Sequence, residues 1–282
     1  MLNKLLRLVQ FYPRLATIPI RLRTYIPNLV CIAVASALLA IAPALSARAD
    51  VADTLTQIKP AIVGIGSYQA GRSPGGQLKG TGFVVGDGRT VATCYHIVKP
   101  LLDLDHNETW AVFLGQGREV RYRAARIIAT DPAHDVALLR FDGPALPSLK
   151  LGDVGQAREG DQLYFTGYPI GSILGLYAAT HRAGLAAIVP IYTPLPRATE
   201  LNARTIRQAA DPFRVFQLDA IAYPGNSGSP LWNPANGTVL GVVNSVFVKG
   251  AKEAALSDPS GISYAIPANH IRALMEHADL KD

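Results

Sequence analysis

From residue 50 onward the apolar positions fall in many short runs of four to six residues, separated by Gly, Pro and Asp. Ala61–Ile65, Trp110–Leu114, Val136–Phe141, Gln162–Thr166, Val215–Leu218 and Val239–Val243 are examples. Short apolar runs bounded by turn formers read as strands, so the pattern predicts an all-β fold with a minor share of helix. Two segments carry a helical pattern instead. Val51–Ile58 ends just before Pro60, and Ala268–His277 repeats its apolar side chains at Ile271, Leu274 and Met275, which predicts a C-terminal helix packed on the second half of the body. Gly143–Gly152, rich in Pro, Gly and Ser, is the natural crossing between two halves. Val189–Pro212 holds four prolines and a polar, helix-compatible stretch, Ala198–Ala210; it reads as a solvated insertion or as a lid beside a cleft.

Against this background Gly225-Asn226-Ser227-Gly228-Ser229-Pro230 stands out. Gly225 and Gly228 admit turn conformations that a side chain would obstruct, so the N–H groups of Gly225 and Ser227 can converge on a developing oxyanion. A serine hydroxyl near neutral pH needs a base within reach, itself oriented by a third group. His96 supplies the first need: it arrives as the second of two apolar runs ends, the pair flanking the Gly86-Asp87-Gly88 turn. Asp135 supplies the second. It opens the apolar run Val136–Phe141, where a carboxylate is expensive to bury without a partner such as an imidazole N–H. The chain order is His, Asp, Ser.

These segments resemble the HtrA/DegP branch of the trypsin-like serine proteases, whose usual forms are G-S/T-G-F-V/I with T-N-x-H-V, then D-L-A-L-L-K, then G-N-S-G-G-P-L. The likeness extends to Leu218-Asp219-Ala220, to Val239–Asn244 and to Tyr264-Ala265-Ile266-Pro267, and spans about Thr54 to Met275. It implies two six-stranded β-barrels, at about 60–145 and 150–267, followed by a helix at about 268–279, with the triad His96, Asp135 and Ser227 in the cleft between them. It also implies a serine endopeptidase acting on polypeptides, without a cofactor, in envelope protein quality control. The residue six before the nucleophile, Ile221, is then expected at the base of the specificity pocket. Val243–Val246 and Tyr264–Ile266 are the expected walls, with Asn244, Ser245 and the Tyr264 hydroxyl as polar exceptions. That lining suits small or medium aliphatic side chains.

The chain departs from the pattern at Ser229, where a second glycine is usual, and at Cys94, which stands where Asn is usual. A lone Cys on an apolar strand reads as a small buried hydrophobe ahead of any thiol chemistry. Proteases of this type usually carry a PDZ domain after the C-terminal helix, and none is expected within 282 residues.

Charge changes the picture only at the start. The net charge of +6 and pI near 9.4 would invite a nucleic-acid partner. Yet Lys4, Arg7, Arg14, Arg21, Arg23 and Arg48 fall in the first 49 residues, which hold no acid, and the remaining 21 Lys and Arg face 21 Asp and Glu. The body is neutral and no nucleic acid is expected. Residues 1–49 have a basic start, an apolar stretch from Leu29 to Leu45 and Ala47-Arg48-Ala49 before Asp50, the three parts of a secretory signal. An uncleaved N-terminal membrane anchor is the alternative, and either places the body, 50–282, in the periplasm or cell envelope. Cys31 lies in that leader, so the body holds Cys94 alone and forms no internal disulfide. His106, His134, His181, His270 and His277 show no metal-ligand spacing, and no metal is expected. The competing reading is a catalytically weak protease-fold binding protein or holdase; an esterase would use the same acyl chemistry. The pattern leaves the oligomeric state open.

Overall fold

In a computed structural model, residues 51–171, 175–191, 212–245 and 261–281 are described. The leader, the Ala198–Ala210 stretch with most of its flanking segment, and Val246 lie outside these. By contacts the chain divides into Met1–Arg48 and Ala49–Asp282, and the described residues belong to the second unit.

After a first helix, α1 (Val51–Ile58), six strands follow: β1 (Ile62–Tyr68), β2 (Gly76–Val85), β3 (Thr90–Cys94), β4 (Thr109–Leu114), β5 (Arg121–Asp131) and β6 (Val136–Phe141). They close antiparallel in the order β1-β2-β3-β6-β5-β4. A short helix, α2 (Tyr95–Val98), leaves β3 directly. Then β7 (Gln162–Gly167), β8 (Ala179–Pro190), β9 (Arg214–Asp219), β10 (Pro230–Trp232), β11 (Val239–Asn244) and β12 (Ile262–Pro267) close a second barrel in the order β10-β11-β12-β9-β8-β7. Closure removes the unpaired sheet edges that so many short strands would otherwise expose.

Strands β1, β3, β6 and β11 are buried almost throughout, on the face toward the barrel interior and on the face covered from outside. Phe83, Leu138, Leu139 and Phe141 are buried in one core, and Leu163, Phe165, Leu185, Leu218 and Leu231 in the other. The last helix, α3 (Asn269–His277), corrects the expectation that it would lie on the second barrel. Only Ala268 separates it from β12, yet it packs chiefly on β5 and β6 of the first barrel. Ile271, Leu274 and Met275 join the first core, against which Ile128 and Ala129 of β5 also pack, so the apolar side of the helix is removed from water. Arg272 anchors the helix by donating to the carbonyls of Leu151 and Gly152, in the crossing between barrels.

Candidate active site

Register builds the first half of the site. Because β3 pairs with β6 so that Cys94 faces Val136, His96 and Asp135 emerge at the same end of neighbouring strands. Asp135 takes a left-handed backbone, φ 53°, which a non-glycine residue adopts only at a steric cost. Its neighbours hold it there. Tyr95 N–H donates to the Asp135 carbonyl at 3.0 Å, and His96 N–H donates to Oδ1 at 2.7 Å. The second carboxylate oxygen, Oδ2, lies 2.6 Å from His96 Nδ1 and accepts Asn244 Nδ2 at 2.5 Å. Facing a carboxylate, Nδ1 carries the ring proton, which leaves Nε2 with its lone pair as an acceptor.

The second half is the turn between β9 and β10. Gly225 and Gly228 have φ of +96° and +88°. A Cβ at Gly225 would stand 2.3 Å from the Tyr168 carbonyl oxygen, and one at Gly228 would stand 1.9 Å from that of Thr81, so both positions require glycine for space as well as for backbone. Thr81, on β2, clasps this turn to the first barrel. Its N–H donates to the Ser227 carbonyl at 2.9 Å, and its hydroxyl donates to the Gly225 carbonyl at 2.7 Å while accepting Tyr168 N–H at 3.0 Å. Gly228 N–H donates to the Val243 carbonyl, which also accepts the Cys94 thiol at 3.4 Å. The strand that delivers His96 and the turn that carries Ser227 thus meet on one carbonyl. Among the described residues the N–H groups of Gly225 and Ser227 have no acceptor.

Residues 80–242 match the family profile described as a trypsin-like peptidase domain. The chain belongs to that family. It is 32% identical over 205 residues to a probable periplasmic serine endoprotease, DegP-like, of Pseudomonas putida (strain W619), covering 71% of this chain and 36% of the relative. A protein of the same description from Chlamydia trachomatis serovar D is 30% identical over 191 residues, covering 68% and 32%. The chain therefore spans about a third of the length of these relatives. Among solved structures, an HtrA-type protease, AlgW, with tripeptide aligns at a TM-score of 0.57 and 23% identity, covering 80% of this chain and 62% of that one. The Rv3671c protease, inactive form, aligns at 0.55 and 21%, covering 80% and 92%. The fold is the trypsin-like one, two closed six-stranded barrels with a C-terminal helix.

Within this trypsin-like frame the residues expected to contact substrate separate. Ile221 is half buried in a loop that Ser263 pins to β12, its hydroxyl donating to the Ala220 carbonyl and accepting Ala222 N–H. Tyr264, also half buried, is the register partner of Asn244. Asn244, expected in the pocket lining, is fully buried, and its amide donates to Asp135. Val243 and Ala265 are buried in the core of the second barrel, and Ile266, pointing to the opposite face of β12, is buried in the other core cluster. Ser245 touches Ser227 instead, with its Oγ 2.5 Å from the Ser227 Oγ and its N–H donating to the same oxygen at 3.2 Å. Ser227 is 4% exposed.

Two residues that position the site, Thr81 and Asn244, had no such role in the sequence reading. Thr81 lies in the run that precedes the Gly86-Asp87-Gly88 turn, and only its hydrogen bonds to Gly225 and Ser227, about 145 positions away, give it a role at the site. Cys94, His96 and Asp135 bring one potential metal-ligand atom each within 4.8 Å of one another. They do not suit a metal. The imidazole and carboxylate are bonded to each other, and the fully buried Cys94 thiol is pushed well above its ordinary pKa by burial and by the Asp135 charge, so it stays protonated.

Proposed function

We propose that this chain is a serine endopeptidase of the cell envelope in which Ser227 is the nucleophile, His96 the general base and Asp135 the group that orients it. Ser227 Oγ attacks the peptide carbonyl while His96 Nε2 takes its proton and then returns it to the leaving amine. Asp135 keeps the imidazole in the tautomer with Nδ1 protonated and stabilises the imidazolium that forms. The N–H groups of Gly225 and Ser227, without an acceptor among the described residues, are the donors for the oxyanion. The observation that carries this reading is the double clasp of Asp135 on His96, through ring and backbone, beside a glycine-permitted serine turn with two N–H groups that have no acceptor among the described residues. Polypeptides are the substrates, cleaved after aliphatic residues that fit beside Ile221 and Tyr264. The periplasmic description of the relatives and the signal-like leader support export, and envelope protein quality control is the proposed setting.

A binding protein on the same fold is the rival, favoured by the bond of Ser227 to Ser245 in place of His96. Peptides released from a denatured proteome and read by mass spectrometry separate the two. The purified body is expected to release them and its Ser227→Ala form to release none. Equal release by both, or none by either, would remove the assignment.

A further inference from the structure

We infer that Ser245 is a latch on the nucleophile, holding the Ser227 hydroxyl in a second hydrogen-bonded position from which it must turn before it reacts. The inference rests on the assignment of Ser227 as nucleophile. Ser245 N–H can only donate, so at 3.2 Å it occupies one lone pair of Ser227 Oγ. The two hydroxyls are 2.5 Å apart, and either direction of that bond restrains the serine. Where Ser227 donates, its proton faces Ser245 and not an imidazole; where Ser245 donates, a second lone pair of the attacking oxygen is occupied. In both cases attack on a carbonyl must first break hydrogen bonds that the reaction does not use.

The arm of the latch is fixed and the serine is the moving part. Two residues before Ser245, Val243 is bonded through both backbone groups, its N–H to the Ser229 carbonyl and its carbonyl to Gly228 N–H, each at 2.9 Å. The residue between them, Asn244, is tied to Asp135. The backbone reaching Ser245 is thus pinned on the Ser227 side by the turn and on the His96 side by the orienting carboxylate. Release then needs no strand movement, only a change of the Ser227 χ1 to another staggered rotamer. The burial of Ser227, 4% exposed, fits an oxygen folded inward onto this arm. No part of the triad chemistry needs a hydroxyl at position 245.

An alkyl fluorophosphonate tests the latch without a peptide substrate. Ser227 Oγ forms the bond to phosphorus as the P–F bond breaks, fluoride leaves, and the hydroxyl proton passes to His96. The pseudo-first-order labelling rate is compared for the unsubstituted body, Ser245→Ala, Ser245→Cys and Ser245→Thr, with the labelled peptide identified by mass. Ser245→Ala is expected to label Ser227 about 2- to 10-fold faster, the range one net hydrogen bond allows, with the midpoint of the pH–rate profile unmoved. Ser245→Cys, a weaker donor of similar size, is expected to gain in the same direction and guards against a fold defect in Ser245→Ala. Ser245→Thr, which restores a hydroxyl, is expected to fall back toward the unsubstituted rate. Labelling at Ser227 at one rate in all four overturns the latch and leaves the nucleophile standing. Labelling in none overturns both.

Discussion

Asp135 accepts three hydrogen bonds on its two carboxylate oxygens, from the His96 ring, the His96 backbone and the Asn244 amide. Two of them hold His96 and the third holds the carboxylate, and the two side-chain partnerships predict distinct losses. Asp135→Asn presents an amide to Nδ1 and favours the opposite tautomer, so turnover is expected to fall by about 10⁴-fold with the fold retained, measured as kcat beside a circular dichroism spectrum. Asn244→Ala removes one bond to a charged acceptor, which corresponds to about 10- to 100-fold in kcat/KM. The cleavage preference of that variant, read from a peptide library, is expected to stay the same, whereas a pocket-wall role would shift it. His96 and Asp135 were legible in the sequence because each is a polar residue at the end of an apolar run. Asn244 was not, since the bond that defines it spans 109 positions.

At the scale of elements, the turn between β9 and β10 is shaped as much by β2 as by its own residues. Gly228 was legible as a turn residue, but its obligation comes from Thr81, whose carbonyl oxygen would lie 1.9 Å from an added Cβ. That oxygen is backbone on a paired strand and also accepts the Thr93 hydroxyl at 2.6 Å, so it has no room to yield. Gly228→Ala, with φ +88° as a further strain, is expected to destabilise the fold by at least about 2 kcal/mol, seen as a lower denaturant midpoint at unchanged m-value. The β2–β3 hairpin behaved differently: Gly86-Asp87-Gly88 is a local signal, and the strands it joins formed around it in the register Val85 to Thr90.

At the scale of the whole molecule, α3 ties the end of the chain to the loop that carries Asp135. His270 stacks on His134 with ring centroids 3.9 Å apart, Phe213 meets both edge-on, and His134 Nδ1 lies 2.5 Å from Asp131 Oδ2. Burial lowers the pKa of His270 from 6.5 to about 4, with the neighbouring His134 acting in the same direction and the Asp131 charge opposing. Between those values the unfolded chain binds the proton and the folded one does not. Stability from this group is therefore complete above about pH 6.5 and is lost as pH falls toward 4. His270→Phe is expected to flatten the dependence of Tm on pH across that window, measured by thermal melts at fixed ionic strength. An equal slope in both proteins would place the acid sensitivity elsewhere. Glu108 works at lower pH: its carboxyl, held to about 2 by Asp103 N–H, Ser67 and Arg72, keeps its contribution until pH falls below its ordinary 4.5.

The sequence by itself determined the fold class, the strands as local apolar runs between turn residues, and the three residues of the candidate triad. Each of those signals lies within a few consecutive positions, where short apolar runs and turn chemistry act. Tertiary structure decided the rest. It set α3 on the first barrel, made Thr81 the clasp of the nucleophile turn, and brought Asn244 and Ser245 into hydrogen bonds with Asp135 and Ser227. These depend on how two closed barrels meet, and a hydrogen bond across that boundary is fixed by distance in space, which the order of residues does not carry.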